Sequence, residues 1–168
     1  MELLKVLKKA VKRGTFILAS GKKSDFYINV KEVYCNPEAA RLIGKKLALS
    51  LKKSRAKRIA GLELGAVPLA AIASVYSGKP FLMVRKKPKG YGTKRLIEGL
   101  FAKGEKCAII EDVVTTGESA IATAKTLRKY GLVPTEVIAI VDREEGAAGA
   151  LKKAKLSFKP LYSKSQLF

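Results

Sequence analysis

Residues 107–119 constrain the fold of this chain more than any other segment. The first four are apolar and lead into two adjacent acids, Glu111 and Asp112. A Val-Val-Thr-Thr-Gly turn follows, and a helical pattern begins at Glu118. A continuous apolar run is typical of a buried parallel strand, so both carboxylates are expected at the carboxyl edge of a sheet. Because a turn that opens a helix presents backbone N–H groups, the segment indicates a site for a phosphorylated sugar.

The composition favours one aliphatic α/β domain. Hydrophobic residues make up 48% of the 168 residues and aromatic residues only 7%, with no tryptophan. A chain of this length can bury a proper core. The sequence contains no histidine, which excludes a Ser-His-Asp triad, His-ligated zinc and an imidazole general base. Any catalysis must therefore use carboxylates, lysine, tyrosine or positioning.

The charge and the cysteines say less about function. A net charge of +20 would attract any polyanion, nucleic acid included, but the lysines are dispersed and a solvated surface explains them equally well. No apolar run approaches the ~18 residues of a membrane span, and no signal peptide is evident at the N-terminus. The cysteines, Cys35 and Cys107, are far apart in the sequence. This spacing favours free thiols and a cytoplasmic location.

Strands and helices are expected to alternate along most of the chain. Residues 2–13 predict an amphipathic helix, 14–34 a hairpin broken at 20–24, and 36–53 a helix that begins at an Asn-Pro cap. Further strands are predicted over 59–63, 80–85, 106–112, 136–142 and near 156–162. Further helices are predicted over 67–77, 118–130 and near 145–153. Helices between strands predict right-handed crossovers and a mainly parallel sheet.

A long basic loop is predicted over 86–99, directly after Arg85. From Arg85 to Gly92 the sequence reads Arg-Lys-Lys-Pro-Lys-Gly-Tyr-Gly. A loop of this length without secondary structure is unusual in a compact domain and is often a lid, and its glycines permit hinge motion. Cations on a lid could close over a pyrophosphate and offset the charge it gains as it leaves. The alternative is a solvated basic loop.

Two further segments carry candidate binding residues. Arg143 follows a strand that should end at the same sheet edge as Asp112, and its guanidinium could bind a planar carboxylate with two hydrogen bonds. A salt bridge to a nearby acid is the alternative. Residues 20–29 read Ser-Gly-Lys-Lys-Ser-Asp-Phe-Tyr-Ile-Asn. Tyr27 and Ile28 in this string would be either ligand contacts or hairpin core.

Together, these four segments resemble the type I phosphoribosyltransferases over about residues 14–146. Neither the G-x-G-x-x-G fingerprint of a first strand nor the P-loop pattern is present. The lid, the 20–29 string and the Asp-Arg string resemble orotate phosphoribosyltransferases, in particular short archaeal-type members. The resemblance implies an α/β fold with a central, mainly parallel sheet flanked by helices. In a single domain over 1–168, about 1–35 would form a small hood and about 36–168 the core.

The resemblance implies transfer of phosphoribose from phosphoribosyl pyrophosphate (PRPP) to orotate, giving orotidine 5′-phosphate and pyrophosphate in pyrimidine biosynthesis. Glu111 and Asp112 would hold the ribose hydroxyls, and Lys89 and Asp112 would be catalytic. The other implied PRPP contacts are Arg85, Lys86, Tyr91, Val113, Val114, Thr115, Thr116, Gly117, Glu118 and Ser119. The implied orotate contacts are Tyr27, Ile28, Thr115 and Arg143.

The resemblance also implies Mg²⁺ and a partner subunit. Mg²⁺ would be held through PRPP and water rather than by a protein metal site. A homodimer is implied because the 86–99 lid of such enzymes reaches the neighbouring site. The chain departs from many orotate enzymes at Ala19 and Gly65, where they carry lysine. The lid would then have to supply more of the positive charge.

Two alternative functions stay open. One is a phosphoribosyltransferase that uses a purine or uracil, bases without the carboxylate that Arg143 would bind. The other is a PRPP-sensing regulator of the same fold that binds nucleic acid. No helix-turn-helix segment is evident, so nucleic acid is not the expected partner.

Overall fold

A six-stranded sheet with helices on both faces forms the body of the protein, and a two-stranded hairpin packs against one of its cores. The computed structural model describes residues 2–17, 21, 23–88 and 95–168. Its strands within these residues are β1 Val11–Ile17, β2 Lys23–Ile28, β3 Arg58–Leu62, β4 Phe81–Val84, β5 Ile97–Glu98, β6 Lys106–Val114, β7 Val133–Asp142 and β8 Ser157–Ser163. Its helices are α1 Leu3–Lys9, α2 Val30–Tyr34, α3 Pro37–Lys52, α4 Ala66–Ser77, α5 Glu118–Lys129, α6 Ala147–Lys153 and α7 Lys164–Leu167.

The order of the strands creates a crevice near the centre of the sheet. The order is β5-β4-β3-β6-β7-β8, and every neighbouring pair is parallel except β4 and β5. The predicted, mainly parallel sheet is therefore confirmed. From β3 the chain passes to β4 on one side and later returns to the other side as β6. Ligands of open α/β sheets bind at such a switch point, outside the carboxyl ends of the strands.

The apolar run at the start of β6 is buried on both faces of the sheet. Ala108 and Ile110 pack in a core with residues of α1, α3 and α4. Cys107 and Ile109 pack on the opposite face, in a core with residues of α5 and α6. Since both faces are covered by helices, neither face can carry polar residues, and the run is continuous rather than alternating.

Helix α3 forms as the sequence predicts. The Asn36 side chain accepts hydrogen bonds from the backbone N–H groups of Glu38 and Ala39, at 3.0 and 3.1 Å. Pro37 occupies the first helical position, where its missing N–H costs nothing. Ile43, Leu47 and Leu51 recur at helical spacing on the buried face and are fully inaccessible to solvent.

The structure corrects several predicted boundaries. Residues 30–34 form helix α2 rather than part of the hairpin, because the Asn29 side chain accepts a hydrogen bond from Glu32 N and caps the helix. Helix α1 ends at Lys9, and β1 already begins at Val11. The 86–99 loop contains β5, which adds an antiparallel edge strand to the sheet. Strand β6 continues two residues beyond Asp112, and α7 was not predicted.

None of the helices in the described part of the chain has the length and apolar content needed to cross a bilayer.

Candidate active site

A cleft of about 520 Å³ lies at the switch point between β3 and β6. One wall is the turn after β3, residues 62–66, and the other is residues 111–120, from the end of β6 into α5. Lys31 from α2 and Lys86 complete the described lining. The whole predicted segment 111–119 therefore lies in one cleft, at the carboxyl edge of the sheet where the sequence placed it.

The two acids of β6 lie in different environments although they are adjacent. Glu111 is 6% exposed, and its carboxylate accepts a hydrogen bond of 3.3 Å from the Ser119 hydroxyl. Asp112 is less buried; its carboxylate accepts hydrogen bonds from Lys31 Nζ at 3.0 Å and from Val113 N at 2.8 Å. Both carboxylates line the cleft, so a bound sugar could donate its hydroxyls to them.

Burial changes the chemistry of Glu111. Removal from water, and then the negative charge of Asp112, raise the pKa of Glu111 to about 8. The hydrogen bond from Ser119 acts in the opposite direction but does not outweigh these effects. Near neutral pH, Glu111 therefore keeps its proton, next to the Asp112 side chain that Lys31 contacts.

The turn between β6 and α5 has the backbone shape of an anion site. Gly117 adopts φ +86°, in the left-handed region that favours glycine, and stands at the N-cap of the 12-residue helix α5. Because the first N–H groups of a helix lack partners within it, they and the helix dipole favour a negatively charged ligand. The predicted phosphate residues line the cleft in this turn: Val113, Val114, Thr115, Thr116, Gly117, Glu118 and Ser119.

The start of the basic segment is anchored at the edge of the cleft. Lys86 lines the cleft, and its backbone N–H donates to Glu63 Oε1 at 2.8 Å. Arg85 is not among the lining residues; its guanidinium lies 3.8 Å from Glu63 Oε2, and its Nε is buried with no hydrogen-bond partner among the residues that the structure describes. Two further predicted contacts, Lys89 and Tyr91, lie outside the described residues.

Arg143 is engaged within the protein. It is 4% exposed; its Nε donates to Glu145 at 2.8 Å, and its Nη2 donates to the Ser24 hydroxyl at 3.0 Å. Its guanidinium also lies 4.2 Å from the centroid of the Phe26 ring. The salt bridge that was the alternative to ligand binding is thus present, and Arg143 connects the end of β7 with the hairpin.

The two hairpin candidates differ in position. Tyr27 is partly exposed and its ring centroid lies 5.6 Å from that of Phe16. The side chain of Ile28 is 3% exposed and belongs to the core. Ile28 thus occupies the position of a hairpin core residue. Its partner in the β-ladder is Val11, which packs against the same core as α1.

Sequence reasoning missed Lys31 as a site residue, and it noted the 62–66 turn only at Gly65, as a departure from related enzymes that carry lysine there. The strand order, which the sequence did not give, places this turn opposite the end of β6 at the switch point. Lys31 carried no signal in the sequence, because it lies 81 residues from the acid that it contacts.

The thiols and acids of the described residues do not form a protein metal site. Both cysteines are free; Cys35 is exposed, and burial raises the pKa of Cys107 to about 12. In residues 2–17, 21, 23–88 and 95–168, no three His, Cys, Asp or Glu side chains cluster closely enough to hold a metal ion. Glu111 and Asp112 offer oxygen atoms, the donor type that Mg²⁺ accepts together with water and phosphate oxygens.

The doubly wound sheet with its acid pair and phosphate-type turn defines a type I phosphoribosyltransferase. An orotate phosphoribosyltransferase of Methanocella arvoryzae is 45% identical over 168 residues, which span 99% of this chain and 95% of that protein. The chain belongs to the orotate phosphoribosyltransferase family.

Solved structures agree with this assignment. The orotate phosphoribosyltransferase of Aeropyrum pernix superimposes with a TM-score of 0.84 at 30% identity, over 99% of this chain and 96% of that one. The enzyme of Mycobacterium tuberculosis in complex with PRPP gives a TM-score of 0.82 at 26% identity, over 98% and 96% of the two chains. No protein-family model matches the chain.

Proposed function

We propose that the protein transfers the 5-phosphoribosyl group of PRPP to orotate, forming orotidine 5′-phosphate and pyrophosphate in pyrimidine biosynthesis. The observation that carries this proposal is the cleft at the β3–β6 switch point. It combines two carboxyl groups, suited to ribose hydroxyls, with a helix-opening turn suited to a phosphate. Membership of the orotate phosphoribosyltransferase family supports the choice of base.

PRPP would lie along the cleft from the turn toward the 62–66 loop. Its 5-phosphate would accept hydrogen bonds from the backbone of the 115–119 turn at the start of α5. Its ribose hydroxyls would then donate to Glu111 and Asp112, which immediately precede that turn. The pyrophosphate on C1 would extend to the opposite wall, where Lys86 and Lys31 line the cleft.

Catalysis in this site would depend on positioning and charge rather than on a strong base. The chain has no histidine, and transfer through a transition state with oxocarbenium character needs stabilisation of the leaving pyrophosphate. Cations from the 85–91 segment (Arg85, Lys86 and Lys89, with Tyr91) would supply this stabilisation. Asp112 would hold the ribose in the reactive orientation.

Orotate would be recognised beside the phosphate turn. Thr115 lines the cleft, and Arg143 follows the neighbouring strand, β7, where its guanidinium suits a planar carboxylate. Since Arg143 now bonds Glu145 and Ser24, the orotate carboxylate would have to take the place of Glu145 as its acidic partner. Tyr27, on the hairpin that Arg143 contacts through Ser24, would cover the pyrimidine.

A metal ion, a second subunit and a cellular location complete the proposal. Mg²⁺ would be held by the pyrophosphate and ribose oxygens of PRPP, with Asp112 and Glu111 nearby as oxygen donors. The protein would act as a homodimer in which the 86–99 lid of one subunit reaches the site of the other. Two free thiols are consistent with the cytoplasm.

The test is a comparison of bases combined with Arg143→Ala. Orotate should be consumed with release of pyrophosphate, whereas adenine, guanine and uracil should not. Loss of a charge-assisted, two-point contact should raise KM for orotate about 10- to 100-fold and leave KM for PRPP nearly unchanged. An unchanged KM for orotate would show that Arg143 does not select the substrate.

Glu145→Gln is the matched control for that experiment. It removes the acid that Arg143 contacts at 2.8 Å but leaves the guanidinium in place. Because Gln competes less well than Glu for a cation, KM for orotate should stay the same or fall. A rise equal to that of Arg143→Ala would mean that both substitutions act by disturbing the local fold.

A further inference from the structure

Lys31 enters the cleft from outside the sheet. It is the second residue of the short helix α2, which Val30 and Val33 anchor to the core at 1% and 3% exposure. These anchors direct the lysine toward β6, where its Nζ lies 3.0 Å from Asp112 Oδ2. The side chain is about half exposed, so its ammonium remains accessible to a ligand in the cleft.

Gly65 leaves the space that the Lys31 side chain uses. A Cβ atom added to Gly65 would lie 2.8 Å from Asp112 Oδ2 and 3.2 Å from Lys31 Cε. The turn after β3 therefore offers no side chain at the point where the lysine passes. A side chain at position 65 would require Asp112 and Lys31 to shift from their observed positions.

The charge of the cleft makes Lys31 important for binding an anion. Among the described lining residues the acids are Glu63, Glu111, Asp112 and Glu118, and the cations are Lys31 and Lys86 alone. The ionised acids of the cleft repel a pyrophosphate unless cations face it, even though Glu111 keeps its proton. Burial disfavours the charged form of Lys31, but the hydrogen bond and charge of Asp112 prevail and raise its pKa, so it stays protonated.

We propose that Lys31 binds the pyrophosphate group of PRPP, supplying from α2 the cation that the glycine in the turn after β3 does not provide. This inference rests on the proposed function, because the direction in which PRPP lies in the cleft is part of that proposal. With the 5-phosphate at the 115–119 turn, the pyrophosphate reaches the wall formed by Gly65 and Lys31. Lys31 would then bridge the pyrophosphate and Asp112, the carboxylate that holds the ribose.

Isothermal titration of Lys31→Ala with three ligands tests the assignment. PRPP carries both the pyrophosphate and the 5-phosphate. Pyrophosphate represents the leaving group alone, and ribose 5-phosphate carries the 5-phosphate alone. Because a hydrogen bond to a charged group is lost, Lys31→Ala should weaken PRPP and pyrophosphate about 10- to 100-fold. Ribose 5-phosphate should change less than about threefold, since its contacts stay in place. Lys31→Arg should keep most of the affinity for pyrophosphate.

Lys12→Ala is a closely matched control. Lys12 has the same 49% side-chain exposure and also pairs with one acid, Glu32 at 2.6 Å, but it does not line the cleft. It should leave all three affinities nearly unchanged, which separates a local contact from the general field of a +20 chain.

Three results would overturn the proposal. Equal weakening of all three ligands would mean that Lys31 only orients Asp112, and effects no larger than those of Lys12→Ala would mean that it only adds to the field. Weakening of ribose 5-phosphate alone would reverse the direction assigned to PRPP. The proposed function fails separately, if the wild-type protein binds PRPP but consumes no orotate. Thermal unfolding of each variant verifies that it is folded, as expected for loss of an exposed ion pair.

Discussion

At the scale of single residues, Glu111 is the most perturbed acid of the cleft. It is buried at the end of β6 with a hydroxyl partner, Ser119, and no cation of the described ranges is bonded to it. Its neighbour Asp112 has the ammonium of Lys31 instead. The same residue pair therefore provides one site that prefers a proton and one that prefers a cation. A carboxyl group kept neutral by burial is typical of functional sites rather than of protein surfaces.

This burial predicts a specific dependence of stability on pH. Between the unfolded pKa, near 4.5, and the folded pKa of about 8, the unfolded chain has lost the Glu111 proton while the folded protein keeps it. The contribution of Glu111 to stability is therefore fully present below 4.5 and declines as pH rises through this window, by at most ~1.4 kcal/mol per unit. Glu111→Gln carries no proton to lose. Urea unfolding from pH 5 to 8 should show it gaining stability relative to wild type.

Glu118→Gln is the control for this measurement. Its exposed side chain lies in the same cleft, so the variant should follow the wild-type pH profile. Parallel profiles for Glu111→Gln and wild type would show that Glu111 is ionised in the folded protein throughout this range.

At the scale of elements, the turn into α5 joins folding to ligand binding. Gly117 lies in the turn between β6 and α5 and caps the helix, and a Cβ atom there would lie 3.3 Å from Leu151 Cγ of α6. Its backbone carbonyl accepts the first hydrogen bond of the helix, from Ile121 N at 3.0 Å. The conformation of this one residue thus fixes both the start of α5 and the direction of the N–H groups proposed to hold the phosphate.

Gly117→Ala should therefore reduce both stability and PRPP affinity. The left-handed backbone costs a residue with a Cβ atom about 1–2 kcal/mol, which corresponds to a fall in Tm of several degrees. Gly104→Ala is the control, since its φ is +81° and no atom lies within 4 Å of an added Cβ. Both variants should lose stability, but only Gly117→Ala should bind PRPP more weakly by titration. Equal PRPP affinities for the two would contradict the role of the turn.

Local patterns in the sequence predicted most of the sheet and the phosphate turn. The apolar run before Glu111 indicated a strand covered on both faces, and the Asn-Pro pair at 36–37 marked the start of α3. Helix α2 escaped prediction because Val30 continues the alternation of Phe26 and Ile28, and a single i, i+3 pair with Val33 is too short a pattern to indicate a helix. The salt bridge of Arg143 to a nearby acid was foreseen as an alternative, but its contact with Ser24 could not be predicted, because Ser24 is 119 residues away and only the tertiary fold brings them together. The contact between Lys31 and Asp112 escaped for the same reason.

At the scale of the whole molecule, the proposed dimer can be tested by subunit complementation. Lys89→Ala removes the proposed catalytic lysine of the lid, and Asp112→Asn removes an acid of the cleft. If the lid acts on the partner subunit, a mixed dimer holds one site with both defects and one intact site. After subunit exchange, an equal mixture of the two inactive variants should regain about a quarter of wild-type turnover.

A lid that acts within its own subunit would give a different result. If each lid serves its own subunit, every site in the mixture keeps one defect and no turnover returns. Two copies of the same variant, mixed and exchanged in the same way, provide the baseline.

Hydrogen bonds hold both ends of the basic loop, at Arg85 and Leu96, against the rest of the protein. Arg85 N donates to Leu96 O at 2.8 Å, and Leu96 N donates to the Tyr130 hydroxyl at 3.0 Å. The sheet and α5 thus hold the two ends together whatever lies between them. The entropic free-energy cost of closing a loop rises by only ~0.6 kcal/mol for each doubling of its length. The length and sequence of residues 86–95 can therefore change during evolution at little cost to folding. Turnover rate can therefore diverge among descendants of this enzyme while their thermal tolerance stays the same.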